Sequence, residues 1–178
     1  MNPQFPIYIV SKGRWKSRVT SRVLESLNVP YYLICEKEEY EQYASVIDKD
    51  KLLILPQKYL AEYDTFWERA EDNKTGPGAA RNFAWDHSIE GGYDWHWVMD
   101  DNLEAFYRRT RNKDWKDDSG TVFRGMEGFV LRYENIAIAG PNYQSFCKST
   151  DGVPPLVFNT RIYSCLLIRN DIPYRWRG

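Results

Sequence analysis

The chain has 178 residues, a length that supports one domain with a substantial core and is short for two. Its 24 lysines and arginines nearly balance 25 aspartates and glutamates, which excludes a polycation that coats nucleic acid over its whole surface. Three widely spaced cysteines and the lack of a long apolar segment argue against a paired-cysteine zinc site and a membrane span, so we expect a single soluble, cytoplasmic domain.

The first part of the chain alternates predicted strands with predicted helices. Apolar runs predict buried strands at residues 5–10, 31–35 and 51–55. Between them, apolar residues at helical spacing predict one helix that begins at Arg18 and a second over residues 40–47. Each of the first two strands is therefore followed by a helix, which is the order typical of a parallel sheet.

The next segment contains a weak region and then a fourth strand. Aromatic residues scattered among charges over 57–75 predict a long loop or a short helix. Gly76-Pro77-Gly78 then opens a helix that Gly91-Gly92 ends, and the aromatic, apolar run 93–99 predicts a buried strand. Four strands joined in this way predict an α/β fold, a mostly parallel sheet flanked by helices with right-handed crossovers.

Beyond residue 102 the order of elements changes. The remaining predicted elements are an extended segment at 103–107, a helix near 122–133 and strands at 136–139 and 162–168. We find no linker and no internal repeat, which favours one domain over 1–178. The abrupt end at Arg175-Trp176-Arg177-Gly178 suggests a domain that is truncated at its C-terminus.

The most informative motif is Asp100-Asp101-Asn102, which directly follows the fourth strand. Ligands of open α/β sheets bind outside the carboxyl ends of the strands, and adjacent carboxylates require a metal, a basic partner or a shared proton. Hard oxygen ligands suit Mg²⁺ or Mn²⁺, which complete their shells with substrate phosphates. The alternative is a solvated strand end, although the position favours function. His87 and His96 lack partners at metal-ligand spacing, so we expect structural roles for both.

Three further segments occupy positions where a nucleotide could bind. Ser11 to Arg14 form a polar loop after the first strand, and Glu36 follows the second strand. Arg81 and Asn82 lie near the start of the predicted helix, where exposed amides and an arginine suit a phosphate. Each segment taken alone is also compatible with an ordinary polar turn or charged loop.

The stretch 107–116 mixes five basic residues with two aromatic residues. Cations bind phosphates and flat side chains stack on unpaired bases, so this mixture fits a nucleic-acid backbone. On this interpretation Arg108, Arg109, Arg111 and Trp115 contact nucleic acid. A solvated charged loop is the alternative, because several aspartates lie close by.

Taken together, these motifs resemble a GT-A glycosyltransferase, and more closely the TET-associated glycosyltransferases of bacteriophages. The resemblance covers nearly the whole chain and is carried by Ile7-Tyr8-Ile9-Val10-Ser11-Lys12-Gly13-Arg14, Glu36, Gly78-Ala79-Ala80-Arg81-Asn82, Trp97-Val98-Met99-Asp100-Asp101-Asn102, Asn159-Thr160-Arg161-Ile162-Tyr163-Ser164-Cys165 and Pro173-Tyr174-Arg175-Trp176-Arg177-Gly178. Each motif alone is common, and their combination in this order is fairly specific.

The resemblance implies transfer of a sugar from a nucleotide-diphosphate donor, expected to be a UDP-sugar, to a hydroxymethylated pyrimidine such as hydroxymethylcytosine in DNA. It implies a GT-A-like single domain, Mn²⁺ or Mg²⁺ as cofactor, and the host cytoplasm as the location if the gene is phage-encoded. Its site residues map onto Asp100 and Asp101 as catalytic residues, onto Asp100, Asp101 and Asn102 as metal and ribose contacts, and onto Ser11, Arg14, Glu36, Arg81 and Asn82 as donor contacts. Relatives of this kind continue past Arg-Trp-Arg-Gly into an acidic stretch expected to serve the acceptor, so donor binding is better supported than turnover.

Three other functions remain open at this stage. A sugar nucleotidyltransferase shares the sheet, metal and cleft, but its usual glycine-rich first loop with a lysine-bearing signature is poorly matched by Ser11-Lys12-Gly13-Arg14. A non-catalytic donor-binding or DNA-binding remnant is the second, and metal-dependent turnover distinguishes it from an enzyme. A protein acceptor is the third, because neither the fold nor a donor site identifies the molecule that receives the sugar.

Overall fold

The structure is a computed structural model that describes residues 2–63, 76–111, 113–146 and 156–177. The described residues form eight β-strands and five α-helices. In chain order these are β1 Ile7–Val10, α1 Val19–Ser26, β2 Tyr32–Cys35, α2 Tyr40–Ala44, β3 Leu52–Ile54, α3 Gln57–Glu62, α4 Gly78–Glu90, β4 Trp95–Asp100, β5 Tyr107–Thr110, β6 Lys113–Lys116, α5 Thr121–Val130, β7 Ile138–Ala139 and β8 Cys165–Arg169. Among these described residues, no helix has the length and apolar character of a membrane span.

Six strands form one central sheet in the order β3-β2-β1-β4-β8-β7. The first four strands are parallel, whereas β8 runs antiparallel to β4 and β7 runs antiparallel to β8. The predicted mixed α/β fold with a mostly parallel sheet is therefore confirmed. Because the chain extends from β1 to β2 and β3 on one side and returns to β4 on the other, the strand order reverses between β1 and β4. Such a switch point is where open α/β sheets bind ligands.

Both faces of the central strands are covered, which explains their continuous apolar sequences. All four residues of β1 are buried, and in β4 the side chains of Trp97, Val98 and Met99 have no exposed surface. Alternate side chains point to opposite faces, one packed against α1, α2 and α5 and the other against α3 and α4. The ends of β1 and β4 are thus supported by core packing on both sides.

The structure contains one pair of strands that the sequence did not predict. The stretch 107–116, for which the sequence left a nucleic-acid contact and a solvated charged loop as alternatives, forms the antiparallel hairpin of β5 and β6. Its side chains are mostly polar on both faces, so it lacks the one-sided apolar alternation that makes a strand recognisable. The region 57–75, predicted as a long loop or a short helix, begins with the short helix α3, in agreement with the second alternative; its residues 64–75 lie outside the described part of the chain, as does Cys147.

His96 has the structural role expected for it. It has no exposed surface, and its Nδ1 lies 2.6 Å from the side-chain oxygen of Asn170. Burial lowers the pKa of His96 to about 4, so the ring is neutral at pH 7 and donates a hydrogen bond to Asn170. The amide nitrogen of Asn170 in turn donates to Ser88 at 2.9 Å, which ties α4, β4 and the residue after β8 together.

Candidate functional site

The loop after β1 and the turn after β4 meet at the switch point of the sheet. Val10 pairs with Asp100 in the strand register, so the residues that follow, Ser11 and Asp101, are neighbours. Ser11 Oγ donates a hydrogen bond to Asp101 Oδ2 at 2.7 Å. The Arg14 guanidinium lies 3.5 Å from Asp101 Oδ1 and is 51% exposed. The structure therefore brings together three residues that the sequence predicted for one site.

Tyr43 of α2 fixes the conformation of this loop. Its hydroxyl lies 2.6 Å from Ser11 Oγ and accepts a hydrogen bond from the backbone N–H of Arg14 at 3.2 Å. Since the single hydroxyl proton of Ser11 is donated to Asp101, Tyr43 must be the donor to Ser11. Burial raises the pKa of Tyr43, which keeps that proton in place. Its helical spacing marked Tyr43 only as a core residue, so sequence reasoning missed this role.

Asp100 has a different basic partner from Asp101. Nη2 of Arg81, on the first turns of α4, lies 2.7 Å from Asp100 Oδ1. The Arg81 side chain is only 13% exposed, because α4 packs against β4 and β1 on this face of the sheet. The two adjacent carboxylates are therefore each compensated by an arginine, Asp100 from the helix side and Asp101 from the loop side. Separate basic partners relieve the repulsion that the sequence predicted.

The backbone of the acidic turn is held by hydrogen bonds to α1 and to the segment before β8. Thr20, which is fully buried, donates through Oγ1 to the carbonyl of Asp100 at 2.7 Å and accepts from the N–H of Leu103 at 2.8 Å. The N–H of Asp100 donates to the carbonyl of Ser164 at 2.8 Å. These hydrogen bonds fix the backbone from which the Asp100 and Asp101 side chains extend. Thr20 carried no recognisable signal in the sequence, and Ser164 was noted only as part of the segment 159–165 that carries the family resemblance.

Glu36 lies beside the loop after β1, as its position at the end of β2 predicted. Lys12 Nζ lies 2.8 Å from Glu36 Oε1, and both side chains are partly exposed. Gly13 adopts a φ of +72°, and its N–H donates to Glu39 Oε1 at 2.8 Å. That left-handed conformation favours glycine and allows the loop to turn back toward the end of β2. Glu39 is a contact that sequence reasoning did not single out.

Asn82 and Asn102 are placed differently from the acids. The Asn82 side chain donates to the carbonyl of Trp176 at 3.0 Å and accepts from the N–H of Trp176 at 2.8 Å. Asn82 follows Arg81 in α4, and its side-chain amide binds the Trp176 backbone. Asn102 is exposed in the turn that follows Asp101. The structure thus groups Arg81 with the acids and directs Asn82 toward a neighbouring segment.

The side chains of the acidic turn suit a divalent cation that takes only a few of its ligands from the protein. In the described part of the chain, no group of three or more His, Cys, Asp or Glu residues could hold a metal ion. Asp100 and Asp101 nevertheless offer two carboxylates, and Asn102 offers an amide oxygen. Hard oxygen ligands of this kind suit Mg²⁺ or Mn²⁺ when substrate phosphates and water supply the remaining positions. A cage made by the protein alone would need more ligands.

The β5–β6 hairpin divides the predicted nucleic-acid contacts between its two faces. Arg108 lies opposite Trp115 in the register, and both are well exposed, at 58% for the arginine side chain and 59% for the tryptophan. Arg109 lies opposite Asp114 and pairs with it at 3.2 Å. Arg111 is exposed at the turn with a φ of +53°. One face therefore presents a cation beside an aromatic ring, and Arg109 belongs to the other.

Comparison with known protein families matches nearly the whole chain. The model of a family described as TET-Associated Glycosyltransferase matches residues 5–178. This span contains both strand-end loops, the acidic turn, α4 and the hairpin. Neither a curated protein nor a solved structure matches the chain.

Proposed function

The chain belongs to the TET-associated glycosyltransferase family, and from that premise we propose that it transfers a sugar from a UDP-sugar to a hydroxymethylated pyrimidine in DNA. The observation that carries the donor half of this proposal is the group formed by Ser11, Arg14 and Arg81 around the two acids at the switch point. Oxygen ligands for a cation and guanidinium groups for a diphosphate are both present there. Glu36, at the end of β2, and Lys12, in the loop after β1, pair beside this group and suit the ribose or the base.

The two arginines differ in how freely they can move to a diphosphate. Arg14 is half exposed and lies 3.5 Å from Asp101, and an exposed ion pair of this kind contributes about 0–1 kcal/mol. Turning Arg14 toward a phosphate therefore costs little. Arg81 is largely buried and pairs with Asp100 at 2.7 Å, so it acts as a fixed charge. We assign Arg14 as the arginine that closes on the donor and Arg81 as the one already in place.

The reaction separates charge, and the residues of the site are placed to stabilise the negative charge that develops. Breaking the bond between sugar and phosphate develops positive charge on the sugar and negative charge on the departing diphosphate. A divalent cation bound at the acidic turn would supply a Lewis acid for the diphosphate oxygens. Arg14 and Arg81 add positive charge beside the same oxygens, while Ser11, supported by Tyr43, keeps the Asp101 carboxylate in one orientation.

The hairpin supports DNA as the acceptor. A target base inside duplex DNA must be flipped out of the stack, which costs a few kcal/mol, and stacking on an aromatic side chain offsets part of that cost. Trp115 exposes most of its ring next to Arg108, which can bind a phosphate. The hairpin begins at Tyr107, shortly after the acidic turn. It is therefore connected to the edge of the sheet where the donor would bind.

Calorimetric titration tests the donor half of the proposal. UDP-glucose and UDP-N-acetylglucosamine are titrated into the protein, each once with Mn²⁺ and once with EDTA, and ADP-glucose serves as the nucleotide control. We expect at least one UDP-sugar to bind with Mn²⁺ and to lose most of its affinity with EDTA. Equal binding in both conditions would contradict the metal, and no binding in either would contradict the UDP-sugar donor.

A further inference from the structure

Arg81 lies between a carboxylate and an aromatic ring. Its Nη2 pairs with Asp100, and its Cζ lies 4.5 Å from the centre of the Trp176 ring. The guanidinium group therefore lies over the Trp176 ring while its Nη2 contacts the acid. Stacking of this kind restricts the plane of an arginine that would otherwise rotate about several bonds.

Trp176 is itself anchored beside Arg81 by the next residue of α4. The Asn82 amide binds both backbone groups of Trp176, accepting from its N–H at 2.8 Å and donating to its carbonyl at 3.0 Å. One helical turn further along, the Arg175 guanidinium lies 4.6 Å from the ring centre of Trp85. Asn82 therefore anchors Trp176 beside Arg81, while the contact of Arg175 with Trp85 is a separate contact of the same segment.

Hydrogen bonds fix Arg81 only in part. Arg81 Nε and Trp176 Nε1 are both buried, and in the described part of the chain neither has a hydrogen-bond partner. The described contacts that orient the guanidinium group are thus the Asp100 ion pair and the Trp176 ring. Removing the ring would leave a buried arginine tethered mainly at one nitrogen.

We propose that Trp176, anchored by Asn82, is a positioning residue that holds the Arg81 guanidinium in the orientation needed at Asp100 and at the donor diphosphate. This role rests on the proposed function, because it places Arg81 and Asp100 at the donor. A guanidinium group whose plane is set in advance binds phosphate oxygens with less loss of freedom. Trp176 acts through Arg81, so its loss should weaken donor binding and leave acceptor binding unchanged.

A double-mutant cycle on Trp176→Ala and Arg81→Ala tests this route, with the donor Kd measured by calorimetry in Mn²⁺. We expect Trp176→Ala to raise the donor Kd about tenfold in the wild-type background, which is within the range of a desolvated cation–π contact. In the Arg81→Ala background the same change should have little effect, because the residue through which it acts is gone. Trp176→Phe keeps a ring and should restore most of the affinity.

Arg175→Ala is the matched control, because Arg175 lies on the same segment and stacks on the same helix without contacting Arg81. It should leave the donor Kd unchanged, which separates positioning from general loosening of the segment. In steady-state kinetics, Trp176→Ala should raise the KM for the donor and not that for the acceptor.

A second readout does not require the donor. The ring current of Trp176 should shift the Arg81 Nε–H signal in the ¹⁵N NMR spectrum, and Trp176→Ala should remove that shift while Arg175→Ala retains it.

The outcomes separate this role from the proposed function. Wild-type protein that binds no UDP-sugar would overturn both. Wild-type binding together with equal effects of Trp176→Ala in the two backgrounds would overturn the positioning role alone. An Arg81 Nε–H signal that Trp176→Ala leaves unchanged would also overturn it.

Discussion

Asp101→Ala is expected to abolish metal-dependent donor binding while the protein remains folded. The substitution removes a carboxylate that can bind the cation and leaves the guanidinium of Arg14 and the hydroxyl of Ser11 without their shared acceptor. Outer contacts of metal sites are typically worth 10–100-fold in metal affinity, so loss of a direct ligand should raise the donor Kd in Mn²⁺ by about 100-fold or more. Asp100→Ala should have a similar effect, and calorimetric titration measures both.

The fold should survive because Asp101 lies in a turn and its partners belong to the site. Circular dichroism should show an unchanged spectrum, and the melting temperature should stay close to that of the wild type. Asp48→Ala is the matched control, because Asp48 is an exposed aspartate that pairs with Lys51 just before β3. Wild-type-like donor binding by both Asp100→Ala and Asp101→Ala would show that the acidic turn is not the donor site.

Neutralising Arg108, Arg109 and Arg111 together is expected to weaken DNA binding and to flatten its dependence on salt. Each phosphate contact contributes about 0.9 to the slope of log K against log salt on duplex DNA. Arg109 is only 21% exposed and pairs with Asp114 at 3.2 Å, whereas Arg108 is 58% exposed and lies farther, at 3.9 Å, from Asp117, so Arg109 should contribute less than Arg108 or the exposed Arg111. We therefore expect the magnitude of the slope to fall by about 2 to 3 when all three are replaced by glutamine.

Fluorescence anisotropy over a series of salt concentrations measures this slope. The control replaces three exposed cations outside the hairpin, Arg22, Lys49 and Arg132, which changes the net charge equally. Its slope should stay near that of the wild type. An unchanged slope for the hairpin variant, or an equal loss in the control, would place the DNA-binding surface elsewhere.

The topology could be predicted because burial leaves a strong pattern in the sequence. The central strands are apolar on both faces, so β1 to β4 were recognisable, and the glycines at its two ends marked α4. The rule that ligands bind at the carboxyl ends of strands then placed Ser11, Arg14, Glu36 and Asp101 at one edge. That rule requires only the order of strands and helices along the chain, which local sequence patterns reveal.

The partners of those residues could not be predicted, because they depend on how distant elements pack. Tyr43 and Thr20 look like ordinary core or surface residues in the sequence, and Trp176 was noted only as part of a C-terminal motif; their roles come from hydrogen bonds or stacking across the fold. The assignment of Arg81 to Asp100 and Arg14 to Asp101 likewise follows from the docking of α4 and the β1 loop. The hairpin was missed because no apolar face marks its strands.

Sugar transfer onto DNA tests the central claim most directly. The protein is incubated with Mn²⁺, UDP-glucose or UDP-N-acetylglucosamine, and DNA that contains either hydroxymethylcytosine or cytosine, and the DNA is then digested to nucleosides for mass spectrometry. We predict that the hydroxymethylcytosine nucleoside gains the mass of one sugar residue and that cytosine remains unmodified. Donor hydrolysis without any modified nucleoside, in a reaction where donor binding is intact, would contradict DNA as the acceptor.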